Sequence, residues 1–241
     1  MSTLTEQGRP TKLRPYRMQR RAEQVDQTRL RITEAAVRLH TTVGPARTSI
    51  AAIAEQAGVT RLTVYRHFAD LDAVFAACMA HWAARNPRPD AAAWTVIPDL
   101  EGRARRAFGE LYGWYRDHAD ELYPINRDAA AMPLSAQQAR EAGNQRLADA
   151  LLARHAGQDS TPDDDGRLLR AVAGHLVDFW TWRSLVMQQG LDDDEAVEVA
   201  VTLLTAIAGV TPRLEDVGDR DADPVTPRRT AWSRGEGTPS G

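Results

Sequence analysis

Apolar side chains recur three and four positions apart along nearly the whole chain, and this spacing constrains the fold more than any other feature. The two-residue alternation and β-branched runs that indicate strands are absent from the sequence. The chain is therefore predicted to be all-α. A representative stripe consists of Leu100, Ala104, Phe108, Leu111, Tyr115 and His118.

Turn and capping residues set the predicted ends of the helices. In the first 90 positions they predict helices over about 25–42, 49–57, 59–68 and 71–85. Two further helices over about 165–189 and 192–208 close the fold, and their acidic first turns complement the helix dipole. The N-terminal signals are Gly44-Pro45 after the first helix, Thr48-Ser49 before the second, Gly58 after the second and Asp70 before the fourth.

These patterns predict an N-terminal three-helix domain followed by a larger helical domain. The seam lies in the proline-rich segment 86–89, and the Pro- and Gly-rich end of the chain reads as disordered. The predicted segments are a basic flexible arm at 1–24, a helix-turn-helix domain at 25–70, a connecting helix at 71–85, a ligand-binding and dimerisation domain at 86–210 and a tail at 211–241.

Charge is distributed unevenly along the chain. Residues 1–70 carry 12 Lys and Arg against 6 Asp and Glu, a net charge of +6. The remaining residues carry 18 against 27, a net charge of −9. Because the acidic part repels phosphate, contacts with a polyanion are expected only in the first 70 residues. A solvated basic face is the alternative reading of the charge alone.

The residues around Gly58 form one apolar and one polar face. The apolar face can pack two short helices steeply against the first helix, as a helix-turn-helix requires. The polar face suits phosphate oxygens and base edges in a major groove. A surface helical hairpin is the alternative on pattern alone. The apolar members are Ile50, Ile53, Ala54, Ala57, Val59, Val64 and Phe68, and the polar ones are Thr60, Arg61, Thr63, Tyr65, Arg66 and His67.

The stretch from Thr48 to Thr60, followed by residues 64–68 and Asp70, resembles the DNA-binding signature of the tetracycline-repressor (TetR) family. The close resemblance covers about residues 26–82, and the rest matches only in helix number and order. It implies a homodimer with two DNA-binding heads and larger helical bodies, whose last two helices pair as a four-helix bundle. It also implies that an effector bound in the body moves the heads, with repression as the default activity.

The resemblance also implies residue roles. Residues matching Thr48, Thr63, Tyr65 and His67 hold phosphates in such proteins, and those matching Thr60, Arg61 and Leu62 approach bases. Arg61 is the candidate for reading guanine. The predicted DNA-binding residues are Thr48, Ser49, Thr60, Arg61, Leu62, Thr63, Tyr65, Arg66 and His67.

Two residues depart from the family pattern, which usually has glycine at the position of Leu62 and lysine at that of Leu71. Leu71 removes a phosphate contact, and Leu62 can press on a thymine methyl or change the docking distance. The basic residues within 9–21 can compensate by tracking the backbone or entering a minor groove. A free basic tail is an equally good interpretation.

The last two helices are more apolar than a monomer's surface helices should be. From 196 to 210, only Glu198, Thr202, Thr205 and Gly209 interrupt the apolar residues. Pairing with a twofold-related copy would bury this surplus, and a wholly intramolecular core is the alternative. In the preceding helix the spread apolar residues are Leu168, Leu169, Val172, Leu176, Phe179 and Trp180.

Aromatic and polar side chains of the body mix as they do in ligand pockets, although each alone can be ordinary core. A small, largely apolar effector is expected. His175 and Asp178 lie three positions apart and read as a hydrogen-bonded core pair, with a metal site as the alternative; no metal or cofactor is predicted. The ligand-binding candidates are Trp82, Phe108, Tyr112, Tyr115, His118, His175, Phe179 and Trp182.

The sequence lacks the motifs that would indicate other classes of protein. The sequence has no nucleophile elbow, His-Glu-x-x-His pair or glycine-rich phosphate loop, so no enzyme is predicted. An enzyme with a helical catalytic body, and a DNA-binding regulator without a small-molecule effector, remain alternatives. No apolar run reaches the 18 residues of a membrane span, residues 1–24 lack a signal's apolar segment, and Cys78 is the single cysteine. A cytoplasmic location without membrane partners is expected.

Overall fold

The computed structural model describes residues 13–153 and 164–209. These residues are helical without strands, which confirms the all-α fold. The predicted tail at 211–241 and residues 1–12 of the predicted arm lie outside the described residues. The helices are α1 (Leu13–Thr42), α2 (Ile50–Ala57), α3 (Arg61–His67), α4 (Leu71–Arg85), α5 (Leu100–Asp117), α6 (Ala119–Arg127), α7 (Leu134–Leu152), α8 (Asp164–Leu176), α9 (Phe179–Arg183) and α10 (Asp193–Gly209).

The first helix begins earlier than predicted. It starts at Leu13, whereas the sequence pattern placed its start at Val25 and a flexible arm before it. Residues 13–24 are mostly good helix formers, and Pro15 falls in the first turn, where its missing N–H costs no hydrogen bond. Residues 18–27 are exposed, so intrinsic propensity accounts for this extension. A boundary drawn from apolar periodicity missed it for that reason.

Capping geometry at the N-terminal helices follows the predicted signals. The Ser49 hydroxyl accepts a hydrogen bond from the Ala52 N–H at the start of α2. Gly58 ends α2 with a φ of 65°, in the left-handed region that glycine favours. Thr60 and Asp70 cap α3 and α4 in the same way as Ser49 caps α2. The residues at these four positions therefore set where α2 ends and where α2, α3 and α4 begin.

Helices α1 to α4 enclose the core of an N-terminal head, and α5 to α10 enclose the core of a body. Helix α4 contributes to both, because Cys78 packs in the head core and Trp82, one turn later, packs in the body core. Helix α1 also packs against α6 of the body. The head is thus in contact with the body through two helices as well as through the chain at 86–89.

The helix predicted over 165–189 is interrupted. Helix α8 ends at Leu176, Asp178 adopts an extended conformation, and its carboxylate accepts a hydrogen bond from the Trp180 N–H to start α9. Helix α9 continues into a π-helical segment, Ser184–Gln188. Aspartate competes with a continuous helix by capping a new one, and apolar periodicity does not register that competition.

Candidate DNA-binding surface and body cavities

Helix α3 presents four of the predicted DNA-binding residues on the outer face of the head, namely Arg61, Leu62, Tyr65 and Arg66. Val64 is fully buried and Phe68 is 3% exposed, so these two side chains fix α3 on the head core. Leu62 and Tyr65 are 65% and 54% exposed, although large apolar and aromatic side chains usually avoid water. Arg61 and Arg66 are exposed beside them. The exposed face of α3 therefore combines cations, a phenol and an apolar contact surface.

Several of the predicted hydroxyls already have structural partners. Thr60 and Thr63 are hydrogen-bonded to each other at 2.9 Å between their oxygens, and Thr60 also accepts the Thr63 N–H. Thr48 is 7% exposed and its hydroxyl donates to the Gly44 carbonyl at 2.9 Å. Ser49 is occupied as the cap of α2. In this conformation Thr48 stabilises the loop before α2, and its predicted phosphate contact stays a prediction.

Arg29 on α1 holds the C-terminal end of α3, and the sequence reading missed it. Its guanidinium donates a hydrogen bond to the His67 carbonyl and lies 4.1 Å from the centroid of the Phe68 ring. A cation at a helix C-terminus satisfies a free carbonyl and complements the dipole. One feature of the sequence could have indicated this role. Arg29 lies one helical turn before the buried Ile32, at a position where an apolar residue is expected.

Replacing Arg29 by alanine is expected to weaken the attachment of α3. The loss of one charge-assisted hydrogen bond and one cation–π contact at an exposed site should lower the free energy of unfolding by about 1–2 kcal/mol. Arg31→Ala removes the same charge from the exposed face of α1 and serves as the control. Urea unfolding of both variants checks this, and equal losses in the two would contradict the role given to Arg29.

The loop between α1 and α2 is held by the end of α6. Arg127 donates to the Val43 carbonyl at 2.9 Å, and Asp128 accepts the Ala46 N–H at 3.1 Å. Gly44 has a φ of 96°, and a Cβ there would lie 2.2 Å from an Asp128 carboxylate oxygen. Only glycine allows this approach. The end of α6 therefore contacts the backbone that leads into the helix-turn-helix.

A buried His40 and Cys78 pair joins α1 to α4. The His40 Nδ1 atom and the Cys78 sulfur are 3.2 Å apart, and both residues are 2% exposed. Burial lowers the pKa of His40 to about 4 and raises the pKa of the Cys78 thiol to about 12. The pair is therefore neutral at physiological pH.

The lowered pKa of His40 predicts a specific loss of stability in acid. The unfolded chain binds the His40 proton near pH 6.5 and the folded chain only near pH 4, so stability falls as pH drops through this window. We expect His40 to contribute a loss on the order of 2–3 kcal/mol between pH 7 and pH 4.5. Urea unfolding should show a smaller loss for His40→Gln, and identical pH dependence in both proteins would refute the assignment.

Five of the predicted ligand-binding residues lie in the closed core of the body. Two of them donate hydrogen bonds from their hydroxyls to the end of α8: Tyr112 to the Leu176 carbonyl at 2.9 Å and Tyr115 to the Val177 carbonyl at 2.7 Å. Burial raises the pKa of Tyr115 to about 12. These aromatic side chains fill the core in this conformation. The five are Phe108, Tyr112, Tyr115, Phe179 and Trp182.

The other candidates lie near the core surface. Trp82 donates its indole N–H to Glu121 at 2.5 Å, and its ring packs edge-on against His118. His118, together with the core residue Trp182, lines a cavity of about 630 Å³ at the start of α6. His175 lines a smaller cavity of about 350 Å³ between α8, α9 and α10.

His175 and Asp178 form neither the predicted hydrogen-bonded pair nor the alternative metal site. The Asp178 carboxylate accepts hydrogen bonds from Arg140 and Asn144 of α7, at 3.2 and 3.0 Å, while His175 is exposed. The prediction of a side-chain pair between them was wrong, because one Asp178 carboxylate oxygen accepts the two donors of α7 and the other caps α9. Within the described ranges, no three His, Cys, Asp or Glu side chains are grouped as a metal site needs.

An apolar face of α8 and α10 is open to solvent. Leu203 and Ile207 on α10 are 49% and 38% exposed, and Leu168 on α8 is 42% exposed. The adjoining face of α10 packs against α5, with Leu204 fully buried. Both helices therefore carry apolar side chains beyond the faces that they bury within the body. None of the described helices combines the length and apolar character needed to cross a membrane.

A polar helix fixed on two others by a left-handed glycine turn, with two arginines on its outer face, defines a helix-turn-helix DNA-binding protein. Residues 32–78 match the family model described as "Bacterial regulatory proteins, tetR family". Residues 32–78 are therefore similar to the DNA-binding head of TetR-family transcriptional regulators. No curated protein matches it.

Three solved structures resemble the fold. One is SCO4942 from Streptomyces coelicolor, assigned as a transcriptional regulator, with 22% identity, a TM-score of 0.46, and coverage of 75% of this chain and 97% of its own. Another is NalD, the secondary repressor of the MexAB-OprM multidrug efflux pump in Pseudomonas aeruginosa, with 23% identity, a TM-score of 0.46, and coverage of 76% and 96%. The third is a TetR transcriptional regulator from Rhodococcus sp. RHA1, with 18% identity, a TM-score of 0.39, and coverage of 74% and 97%.

Proposed function

We propose that this protein is a homodimeric, non-enzymatic repressor that binds a palindromic operator and is released by a small-molecule effector. The observation that carries the proposal is the exposed face of α3. Leu62 and Tyr65 are more than half exposed while Val64 and Phe68 fix the helix. Exposure of these side chains does not stabilise the protein on its own, whereas a helix that enters a major groove needs exposed side chains to contact the DNA.

The roles of the residues on α3 follow from their chemistry. Arg61 lies at the N-terminal end of α3, where recognition helices contact base edges, and its planar guanidinium can bond to guanine at two atoms. Tyr65 lies one turn further and positions the helix on a phosphate. Leu62, between them, offers apolar contact to a thymine methyl group. The acidic body is kept away from DNA by its own charge.

The apolar face of α8 and α10 supports the homodimer. A twofold-related copy would cover Leu203, Ile207 and Leu168 with the same residues of its partner, as an isologous interface requires. Two heads related by that axis then require two half-sites in inverted orientation. The palindromic operator is thus a consequence of the proposed interface.

Helix α6 offers a physical route from an effector to the heads. Its first turn lines the larger cavity, and Glu121 in that turn accepts the indole N–H of Trp82 on α4. Its last residue, Arg127, bonds to the loop before α2. A ligand that shifts α6 therefore acts on the head through α4 and through this loop.

Selection of bound sequences from random duplexes tests the proposal. We expect an enriched inverted repeat whose half-site centres lie one turn of DNA apart, or a multiple of it. Enrichment of a single unrepeated site would contradict the dimeric arrangement, and the absence of enrichment would contradict the DNA-binding role.

A regulator without a small-molecule effector is a second candidate, favoured by the closed packing of Phe108, Tyr112 and Tyr115. Measuring the affinity for the selected operator with and without a bound ligand distinguishes these two candidates. Under the second candidate, no ligand that binds the body changes operator affinity.

A further inference from the structure

We infer that the cavity at the start of α6 binds organic cations that carry an apolar body. This inference rests on the proposed effector control and gives the effector a chemical class. The cavity has a volume of about 630 Å³, within the range of small-molecule sites. It lies between the first turns of α6 and α10 and the π-helical segment, and the core residue Trp182 forms part of its wall.

The charge of the cavity wall selects the sign of the ligand. Five carboxylates line it, against the single cation Arg116. Arg116 pairs with Asp117 and Asp193, which leaves three of the five without a cationic partner on the wall. The carboxylates are those of Asp117, Asp120, Glu121, Asp192 and Asp193.

Helix capping accounts for only part of this charge. Asp192 accepts the Glu195 N–H at the start of α10, and Glu121 accepts the Trp82 indole. Each helix N-terminus offsets roughly half a unit of negative charge. Two N-termini and one arginine therefore leave the wall with about three negative charges. Among the described residues, Asp120 has no ion pair or hydrogen bond, so its carboxylate is free to meet a ligand.

The rest of the wall favours an apolar or aromatic ligand body. Trp182, Val186 and Met187 line the side formed by α9 and the π-helical segment, and Met187 is 60% exposed. Trp182 is 1% exposed, and its indole N–H has no hydrogen-bond acceptor among the described residues. A buried donor without a partner is costly, and the apolar side chains beside it offer a surface on which the apolar body of a ligand can pack.

A matched pair of ions tests the inference without DNA. Tetraphenylphosphonium and tetraphenylborate have nearly the same shape and opposite charge, and calorimetry measures the binding of each to the full chain. We expect the cation to bind at least about tenfold more tightly than the anion. Equal binding of the two ions, or binding of neither, would overturn the inference.

Variants locate the site. Asp120→Asn should weaken cation binding about fivefold, because it removes an unpaired charge from the wall. Asp194→Asn removes the same charge from the first turn of α10, outside the cavity wall, and should leave binding nearly unchanged. Equal effects of the two variants would mean that the cation is held by the general field of the body and not in this cavity.

Operator binding separates this inference from the proposed function. If tetraphenylphosphonium binds and Asp120→Asn weakens it while operator affinity stays constant, the cation site is established and effector control through this site is refuted. If operator affinity also falls, both are supported. Failure of cation binding with intact operator binding overturns the inference alone.

Discussion

Leu203→Glu is expected to convert the protein to a monomer and to weaken operator binding by at least about a hundredfold. Leu203 lies on the open face of α10, and twofold symmetry would place two new carboxylates in one apolar interface. Burial of an unpaired charge costs several kcal/mol, which exceeds what one lost leucine contact can explain. A monomer can then bind only one half-site of the operator at a time, so it loses the contribution of the second head.

Sedimentation at micromolar protein concentration measures the first effect, and titration of the selected operator measures the second. Val96→Glu serves as the control, because Val96 is 70% exposed in the body and lies outside α8 and α10. A dimeric Leu203→Glu variant, or a wild-type monomer, would contradict the interface.

Arg61→Ala and Tyr65→Ala are expected to weaken operator binding in different ways. Loss of a guanine contact by Arg61 should cost about 1–3 kcal/mol per half-site and relax the preference at one base pair. Loss of a phosphate contact by Tyr65 should weaken binding to all sequences alike. Arg38→Ala on the exposed side of α1 removes a charge outside the recognition helix and is the control.

Competition titrations with single-base operator variants separate these two patterns. If both variants keep wild-type affinity at moderate salt, α3 is not the recognition helix. If Arg61→Ala weakens all sequences equally, Arg61 contacts phosphate and the base-reading role passes to another residue of α3.

The head was predictable because its signals are local. Capping by Ser49, the left-handed Gly58 and the buried position of Val64 depend on neighbours within a few residues. Residue type and spacing were therefore enough to predict these features of the head.

The remaining features depend on contacts between distant parts of the chain. Arg29 holds His67 across 38 positions, and Asp128 holds Ala46 across 82, so neither contact leaves a spacing signal. Asp178, which interrupts the helix predicted over 165–189, also accepts hydrogen bonds from Arg140 and Asn144 on α7.

The division of the body aromatics between core and cavity was equally hidden. Phe108 and Tyr115 are closed in the core, whereas His118, one turn further along, borders the larger cavity. Periodicity identifies a buried face but not which part of it remains unfilled.

Cleavage of the operator from a reagent tethered to α3 tests the central claim most directly. Cys78 is buried and its pKa is about 12, so a labelling reagent should modify only a cysteine introduced at the surface. We would attach an iron chelate to Arg66→Cys on α3 and, as control, to Glu101→Cys in the body, since both positions are exposed. We predict two cleavage clusters from Arg66→Cys, related by a twofold axis and separated by about one helical turn of DNA or a multiple of it. A single cluster, or cleavage no stronger than that from Glu101→Cys, would contradict the account.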